Sequence, residues 1–378
     1  MLMAFAPLLT LSALLHSYLG WRLLPALTDW PLALGAAAAM LVSSALLMPM
    51  ALFARRVRSQ RLSDALSWTG LWFMGLFSTL LVLTLLRDVL LLLATLVGVP
   101  TAAVAAMSAL AVPAVAVVVT LWGLWNARRT PAIVSVEVPI RDLPAALHGF
   151  TIAQISDIHV GPTIKRDTLH AIVQAVNALD ADMVAVTGDL VDGTVPELAE
   201  HVAPLAALTS RHGTYFVTGN HEYYSGAHAW IAELRRLGVR VLMNEHVVLQ
   251  HGSASLVVAG VADYGAHRFD PAHRSDPRAA IARAPQHAAV RVLLAHQPRS
   301  AHAAAQAGFQ LQLSGHTHGG QFLPWNLLVR LQQPFTAGLH RLQGLWVYTS
   351  RGTGYWGPPK RFGAPSEITQ LRFVPAVD

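Results

Sequence analysis

The chain begins with long apolar stretches and switches near residue 127 to short alternating ones. Four stretches, 2–24, 31–54, 66–98 and 102–125, are each long enough to span a bilayer, whose hydrocarbon core takes about 20 helical residues. The third is longer than one span needs and is interrupted by Arg87-Asp88. It is expected to span at 66–86 and continue as an interfacial or re-entrant piece, with the ionisable pair marking a span end; five segments is the variant count. After residue 127 one strand-like run, 133–138, lies in a polar stretch. From residue 150, buried β-runs at 150–155, 183–187 and 214–218 alternate with helical patterns at 166–179 and about 196–209. Later runs are 239–243, 254–259, 290–295, 309–313, 345–349 and 366–373. The organisation expected is an all-α transmembrane region of about four spans over 1–126, a linker over 127–149, and an α/β domain over 150–378.

Charge sharpens this division. The chain is 53% hydrophobic and 13% charged, unlike an ordinary soluble domain. Residues 1–126 hold six arginines and three aspartates, and the remaining charged side chains come later in the chain. Of the ten tryptophans, Trp21, Trp30, Trp68, Trp72, Trp122 and Trp125 lie near the predicted span ends, where amphipathic rings favour the interface. The short loop Arg55-Arg56-Val57-Arg58-Ser59-Gln60-Arg61 and the exit Asn126-Ala127-Arg128-Arg129 are both basic. With four spans both fall on the cytoplasmic side, so the expected location is the inner membrane, multi-pass, with the second region facing the cytoplasm. The N-terminus lacks a basic n-region and more spans follow, so a cleaved signal peptide fits poorly. Neither region carries a dense basic stripe with interleaved aromatics, so nucleic acid is not an expected partner. The absence of cysteine excludes disulfides and thiolate metal sites.

Five polar signatures lie in order in the second region: Asp157-Ile158-His159, Gly188-Asp189-Leu190-Val191-Asp192, Gly219-Asn220-His221-Glu222, His296 and Gly315-His316-Thr317-His318. Each comes directly after a β-run, and in α/β sheets ligands gather outside the carboxyl ends of the strands. Signatures distant in sequence are therefore expected to converge on one rim. Carboxylate oxygen with imidazole suits Mn, Fe or Zn, and two such ions about 3.5–4 Å apart is the usual arrangement for in-line displacement at phosphorus.

Taken together, the five signatures resemble the calcineurin-like metallophosphoesterase superfamily over roughly residues 148–378. The strings Gly219-Asn220-His221-Glu222-Tyr223-Tyr224 and Ser314-Gly315-His316-Thr317-His318-Gly319-Gly320-Gln321 look like its membrane-associated bacterial branch. The resemblance implies a four-layer αββα sandwich and two divalent metal ions. By motif position, Asp157, His159 and His318 would bind the first metal, Asn220, His296 and His316 the second, and Asp189 would bridge. His221 would lie beside the metals without ligating them, as a proton donor or charge stabiliser oriented by Asp192. Glu222, Tyr223 and Tyr224 are read first as shaping the turn after Asn220. Asp263, His267 and Arg268, in the long polar loop 260–277, are candidates for the substrate entrance. The segment 351–361 supplies Arg351 for phosphate and Tyr355 and Trp356 for the headgroup region, or forms a rigid surface turn.

The function expected is a membrane-anchored, metal-dependent phosphohydrolase that uses metal-activated hydroxide on a phosphoester or pyrophosphate. Its partner would be a phosphorylated substrate, lipid-linked in view of the spans. Related branches split a UDP-acylglucosamine pyrophosphate. The alternatives are a phosphodiesterase for soluble nucleotides and a non-catalytic phosphate-binding membrane sensor.

Overall fold

The computed structural model describes residues 2–376. It divides into two compact units. The first comprises Met1–Arg128 with Phe322–Pro324 and Gly357–Phe362; the second comprises Arg129–Gln321, Trp325–Trp356 and Gly363–Asp378.

The four predicted apolar segments are the helices α1 (Leu2–Leu23), α2 (Pro31–Phe53), α3 (Gln60–Leu96) and α4 (Ala102–Arg128). Among the described residues, three stretches are long and apolar enough to cross a membrane: Pro31–Arg56, Gln60–Leu96 and Ala102–Arg128. Pro31 begins α2 at its first helical position, where its missing N–H costs nothing.

The expected break at Arg87-Asp88 does not occur, and α3 runs unbroken for 37 residues. The reason is that both side chains find partners. Asp88 takes a forked pair from Arg22 of α1, at 2.7 and 2.8 Å, and a hydroxyl from Tyr18 at 2.7 Å. Arg87 donates to Asp88 Oδ1 at 2.8 Å, to Ser108 Oγ at 2.9 Å and to the Ala105 carbonyl at 2.9 Å, the last two on α4. A charge cluster in an apolar helical unit is tolerable when its donors and acceptors meet one another. His16 obeys the same rule. Its Nδ1–H donates to the Ser12 carbonyl (2.7 Å), its Nε2 accepts from Ser44 (2.8 Å), and its ring stacks on Phe77.

Lys360 also belongs to this unit. Its ammonium donates to the Gly75 carbonyl at 2.8 Å and to the hydroxyls of Thr79 and Thr120. Gly123 makes room for it, since a Cβ there would collide with Lys360 Cγ.

The second unit is built on twelve strands: β1 (Ala132–Ile140), β2 (Thr151–Ile155), β3 (Met183–Val186), β4 (Thr214–Phe216), β5 (Arg240–Val241), β6 (Glu245–His251), β7 (Ala254–Gly260), β8 (Val290–Leu294), β9 (Leu311–Ser314), β10 (Gly338–Leu342), β11 (Leu345–Thr349) and β12 (Glu367–Pro375). They form two six-stranded sheets, ordered β1-β12-β2-β3-β4-β5 and β10-β11-β9-β8-β7-β6. One core joins them: Ile152, Met183, Ala185, Tyr215 and Leu371 of the first sheet pack with Leu256, Val258, Val292, Leu294, Leu311 and Leu313 of the second. Each such aliphatic side chain contributes roughly 1.5–3 kcal/mol on burial. Outward-pointing neighbours such as Ala153, Ile155, Val184 and Val186 are equally buried, so the first sheet is covered on both faces. The helices α5 (Arg166–Asn177), α6 (Val195–Val202), α7 (Asn220–Ser225) and α8 (Ala227–Arg236) lie in its crossovers. On the second sheet, Ala280, Ala301 and Ala304 from two short helices pack against Ala259, Leu293 and Val347. The result is the layered α/β sandwich expected.

Two strands, β6 and β10, escape the hydrophobic pattern. Both are edges of the second sheet, where one flank faces solvent and polar residues interrupt the apolar run. The strand-like run in the expected linker becomes β1, which pairs in parallel with β12 from Ala132↔Glu367 to Ile140↔Pro375.

For the site, the relevant fact is direction. β2, β3 and β4 are mutually parallel, as are β7, β8 and β9. Each set therefore delivers its trailing loops to one rim.

Candidate metal centre

Asp157 and His159 lie just past β2, Asp189 and Asp192 just past β3, and Asn220 and His221 open α7 after β4. His296 lies just past β8, and His316 and His318 just past β9. The nine sequence-selected residues lie along this rim, and eight of them, all but Asn220, fall into three groups. Asp157, His159 and His318 offer ligand atoms within 4.8 Å of one another, and so do Asp189, His296 and His316. A third group, His159, Asp192 and His221, adjoins the first.

The backbone that holds them is unusual. Asp157 (φ 54°), His159 (57°), Asp189 (51°), His316 (71°) and His318 (52°) all lie in the left-handed region. Such conformations cost about 1–3 kcal/mol each for non-glycine residues and cluster at functional sites. Glycine would relieve the strain but would remove the ligating side chain. Glycine stands instead where the chains come closest. A Cβ on Gly315 would overlap Ser156 and the Asp157 carboxylate, and one on Gly219 would overlap the Asp189 carboxylate.

Asp157, Asp189 and Glu222 are positioned by backbone N–H groups. Asp157 accepts from His316 N at 2.8 and 3.0 Å, and Asp189 Oδ1 accepts from His221 N at 2.9 Å. Glu222 is fully buried and clamps the loops after β3 and β4. Its carboxylate accepts from the N–H groups of Asp189 (3.0 Å), Leu190 (2.8 Å) and Gly219 (2.6 Å). Burial and the nearby Asp189 raise its pKa to about 7. The turn-shaping reading of Glu222 is therefore the one the geometry fits.

The imidazoles are aimed by their second nitrogens. His296 Nδ1–H donates to the Thr187 carbonyl at 2.7 Å, which turns Nε2 toward Asp189 Oδ2 at 3.1 Å and toward His316 Nδ1 at 3.1 Å. His159 Nδ1–H points at Asp192 Oδ1 (3.2 Å), which turns Nε2 toward His318 Nε2, 3.1 Å away. With Nδ1 engaged in each case, the neutral rings of His296 and His159 present Nε2 as an acceptor to the space they share with His316 and His318. The Asn220 Oδ1 atom is buried and has no hydrogen-bond partner. A buried, unpaired oxygen beside converging imidazole nitrogens and carboxylates is an environment a divalent cation satisfies, and the set fits Mn, Fe or Zn.

Asp192 ties the ligand cluster to the remaining histidine, for Oδ1 also lies 2.6 Å from His221 Nδ1. Burial alone would lower the His221 pKa, but the charges of Asp189 and Asp192 outweigh it and raise it to about 9. Burial likewise opposes ionisation of Asp192, yet His159 and His221 hold its carboxyl well below the usual range.

Sequence reasoning missed the Thr187 carbonyl, which no side-chain signature could reveal. It also missed the link from Asp192 to His159, although the Val160–Val191 bridge places their backbones side by side. Other candidates fall elsewhere. Asp263 is buried, accepting from Gln297 and Gly265 N, and does not line an entrance. Arg351 pairs with the buried Glu367 at 2.6 Å. Tyr355 is buried, with its hydroxyl on the Thr163 carbonyl, whereas Trp356 is half exposed beside the His221 ring, 5.7 Å away.

Comparison with known proteins settles the family. A profile described as calcineurin-like phosphoesterase matches residues 150–320. An Aquifex aeolicus protein named as an uncharacterized metallophosphoesterase is 33% identical over 219 residues, covering 57% of this chain and 82% of its own. The chain belongs to the calcineurin-like metallophosphoesterase family. Its relatives include a Bos taurus transmembrane protein with metallophosphoesterase domain, 43% identical over 66% of this chain. They also include a Helicobacter pylori metallophosphoesterase, 37% identical over 67% of this chain and 66% of its own. The chain spans 58% of the Bos taurus protein's length, and 59% of that of a similarly named Danio rerio relative. The family is one of metal-dependent phosphoesterases, and the matched segment holds every residue of the converged rim.

Proposed function

We propose that this metallophosphoesterase is a membrane-anchored phosphohydrolase with two divalent cations, acting on a phosphoester or pyrophosphate in a lipid-linked substrate. Residues 1–126 form the transmembrane anchor and 150–378 the catalytic domain, to whose first sheet the intervening segment adds β1. The observation that carries the reading is the juxtaposition of two acceptor-rich clusters with one histidine, His221, that belongs to neither and is held by Asp192. Asp157, His159 and His318 hold one cation, Asn220, His296 and His316 the other, and Asp189 lies between them. When bound, the cations supply positive charge for the phosphoryl oxygens and lower the pKa of water.

The protein's own groups do the rest. Asp192 accepts from His221 Nδ1–H, which leaves Nε2–H free to donate to the departing oxygen. Asp192 also steadies His159, so one carboxylate positions a ligand and the proton donor together. Glu222 fixes the two loops that carry Asp189 and Asn220. Tyr224, Phe269 and Trp356 are each more than half exposed; Tyr224 and Trp356 flank His221, 5.2 Å and 5.7 Å from its ring, and Phe269 packs on Tyr224 at 5.6 Å. Such an aromatic rim offers apolar area to the lipid part of a substrate.

The basic groups at 55–61 and 128–129 support a multi-pass orientation with the catalytic domain on the cytoplasmic side of the inner membrane. The test is hydrolysis of an aryl phosphomonoester, an aryl phosphodiester and a UDP-linked acyl-sugar by full-length protein, with Mn, Zn or Mg. Trp356→Ala should raise KM for the acyl-sugar by about tenfold, or about 1.4 kcal/mol, and leave the aryl esters unchanged. Equal effects on all three would remove the lipid-linked reading.

A further inference from the structure

The polar loop 260–277 contributes no candidate ligand to the centre described above, yet it carries a second constellation of metal-ligating side chains. His228, the second residue of α8, and Asp270 and His273, which bracket a helical turn, bring one ligand atom each to within 4.8 Å of one another. Asp270 Oδ2 lies 3.0 Å from His228 Nε2 and 3.8 Å from His273 Nε2. Ligands on a tetrahedral ion with bonds of about 2.1 Å stand about 3.4 Å apart, and the two distances bracket that value. The second atoms of Asp270 and His273 are already engaged. Asp270 Oδ1 accepts from Ala272 N at 2.9 Å, and His273 Nδ1 meets the Tyr223 hydroxyl at 2.9 Å. The carboxylate and the imidazole are thus each held from behind, as outer contacts hold ligands at metal sites. A depression of about 360 Å³, lined by Tyr223, Gly226, Ala227, His228, Phe269 and Asp270, opens beside them.

We infer that His228, Asp270 and His273 form a third, mononuclear site for a borderline divalent cation of the zinc class, with at least one coordination position open to the depression. Two imidazoles and one carboxylate are the ligand set of open zinc sites, and the lack of cysteine excludes a closed thiolate site. Bound metal ties loop 266–273 to α8. Through His273 and Tyr223 it also braces α7, the helix that begins with Asn220 and His221.

The test is equilibrium zinc binding by full-length protein in nanodiscs after chelator treatment, read as zinc atoms per chain. Wild type is compared with His228→Ala and with His228→Ala/His273→Ala. Each variant should bind one equivalent fewer than wild type at micromolar free zinc, whatever number the main centre takes. The His228 side chain is 74% exposed, so its truncation should leave the metal-free melting temperature unchanged. Zinc should still raise the melting temperature of Asp189→Asn, and that rise should be smaller in Asp189→Asn/His228→Ala. Equal stoichiometry in wild type and both variants would overturn the site and leave the assignment of the main centre untouched.

Discussion

The charge cluster of the helical unit and the acidic–imidazole cluster of the sandwich use similar residue types to opposite ends. In the first, Asp88 meets Arg22, Arg87 and Tyr18, and Arg87 also finds Ser108 and Ala105. Donor meets acceptor throughout, so the group is complete and holds α1, α3 and α4 together. In the second, His159 Nε2 faces His318 Nε2, His296 Nε2 faces Asp189, and Asn220 Oδ1 has no partner. Imidazole nitrogens and carboxylate oxygens converge there, on a backbone in the left-handed region at Asp157, His159, Asp189, His316 and His318. Burial and charge alone would have flagged both regions. A buried oxygen left without a donor, beside converging nitrogens and carboxylates, separates a cluster that suits a cation from a structural one.

Four substitutions sharpen or break that contrast. The largest effect is expected for Asp189→Asn, which alters the carboxylate shared between the clusters. Turnover should fall by roughly 10³-fold or more, with bound metal reduced. His221→Ala should lower kcat by about 10²–10⁴-fold and leave metal content intact; loss of metal would make His221 a ligand and break its assignment as proton donor. Asp192→Asn should weaken metal binding or turnover by about 10–100-fold, because it disturbs His159 and His221 at once. A defect confined to His221, with metal affinity unchanged, would show that the contact with His159 is idle. The smallest catalytic effect is expected in the helical unit. Arg22→Ala should cost about 1–3 kcal/mol of stability, the range for a hydrogen bond to a charged group, with kcat and metal content unchanged. A comparable fall in turnover would mean that the helical cluster is not merely structural.

Much of this arrangement was legible in the sequence. The five signatures each sit at the end of a β-run, and parallel strands carry their trailing loops to one rim, so convergence could be read from the order of the motifs. The lengths of the apolar segments gave the four helices. The features that escaped were set by tertiary context. β6 and β10 are edge strands with broken alternation. The continuity of α3 through Arg87-Asp88 depended on Arg22, which lies 66 residues away from Asp88. The Thr187 carbonyl that turns His296 is a backbone atom and leaves no trace in residue identity. Lys360 and Arg361, in a segment whose basic and aromatic residues invited a surface reading, are buried; the glycine notch that admits Lys360 lies at Gly123, in a helix far along the chain.

The central claim is that the rim of Asp157, His159, Asp189, Asn220, His296, His316 and His318 holds cations that phosphoester cleavage requires. The most direct measurement is turnover of an aryl phosphodiester by full-length protein as metal is returned to the chelated form, with bound metal counted at each point. The account predicts no turnover in the chelated form and a rise that tracks occupancy in wild type. It predicts a flat line in Asp189→Asn. Turnover that persists in the chelated protein, or that rises equally in Asp189→Asn, would contradict it.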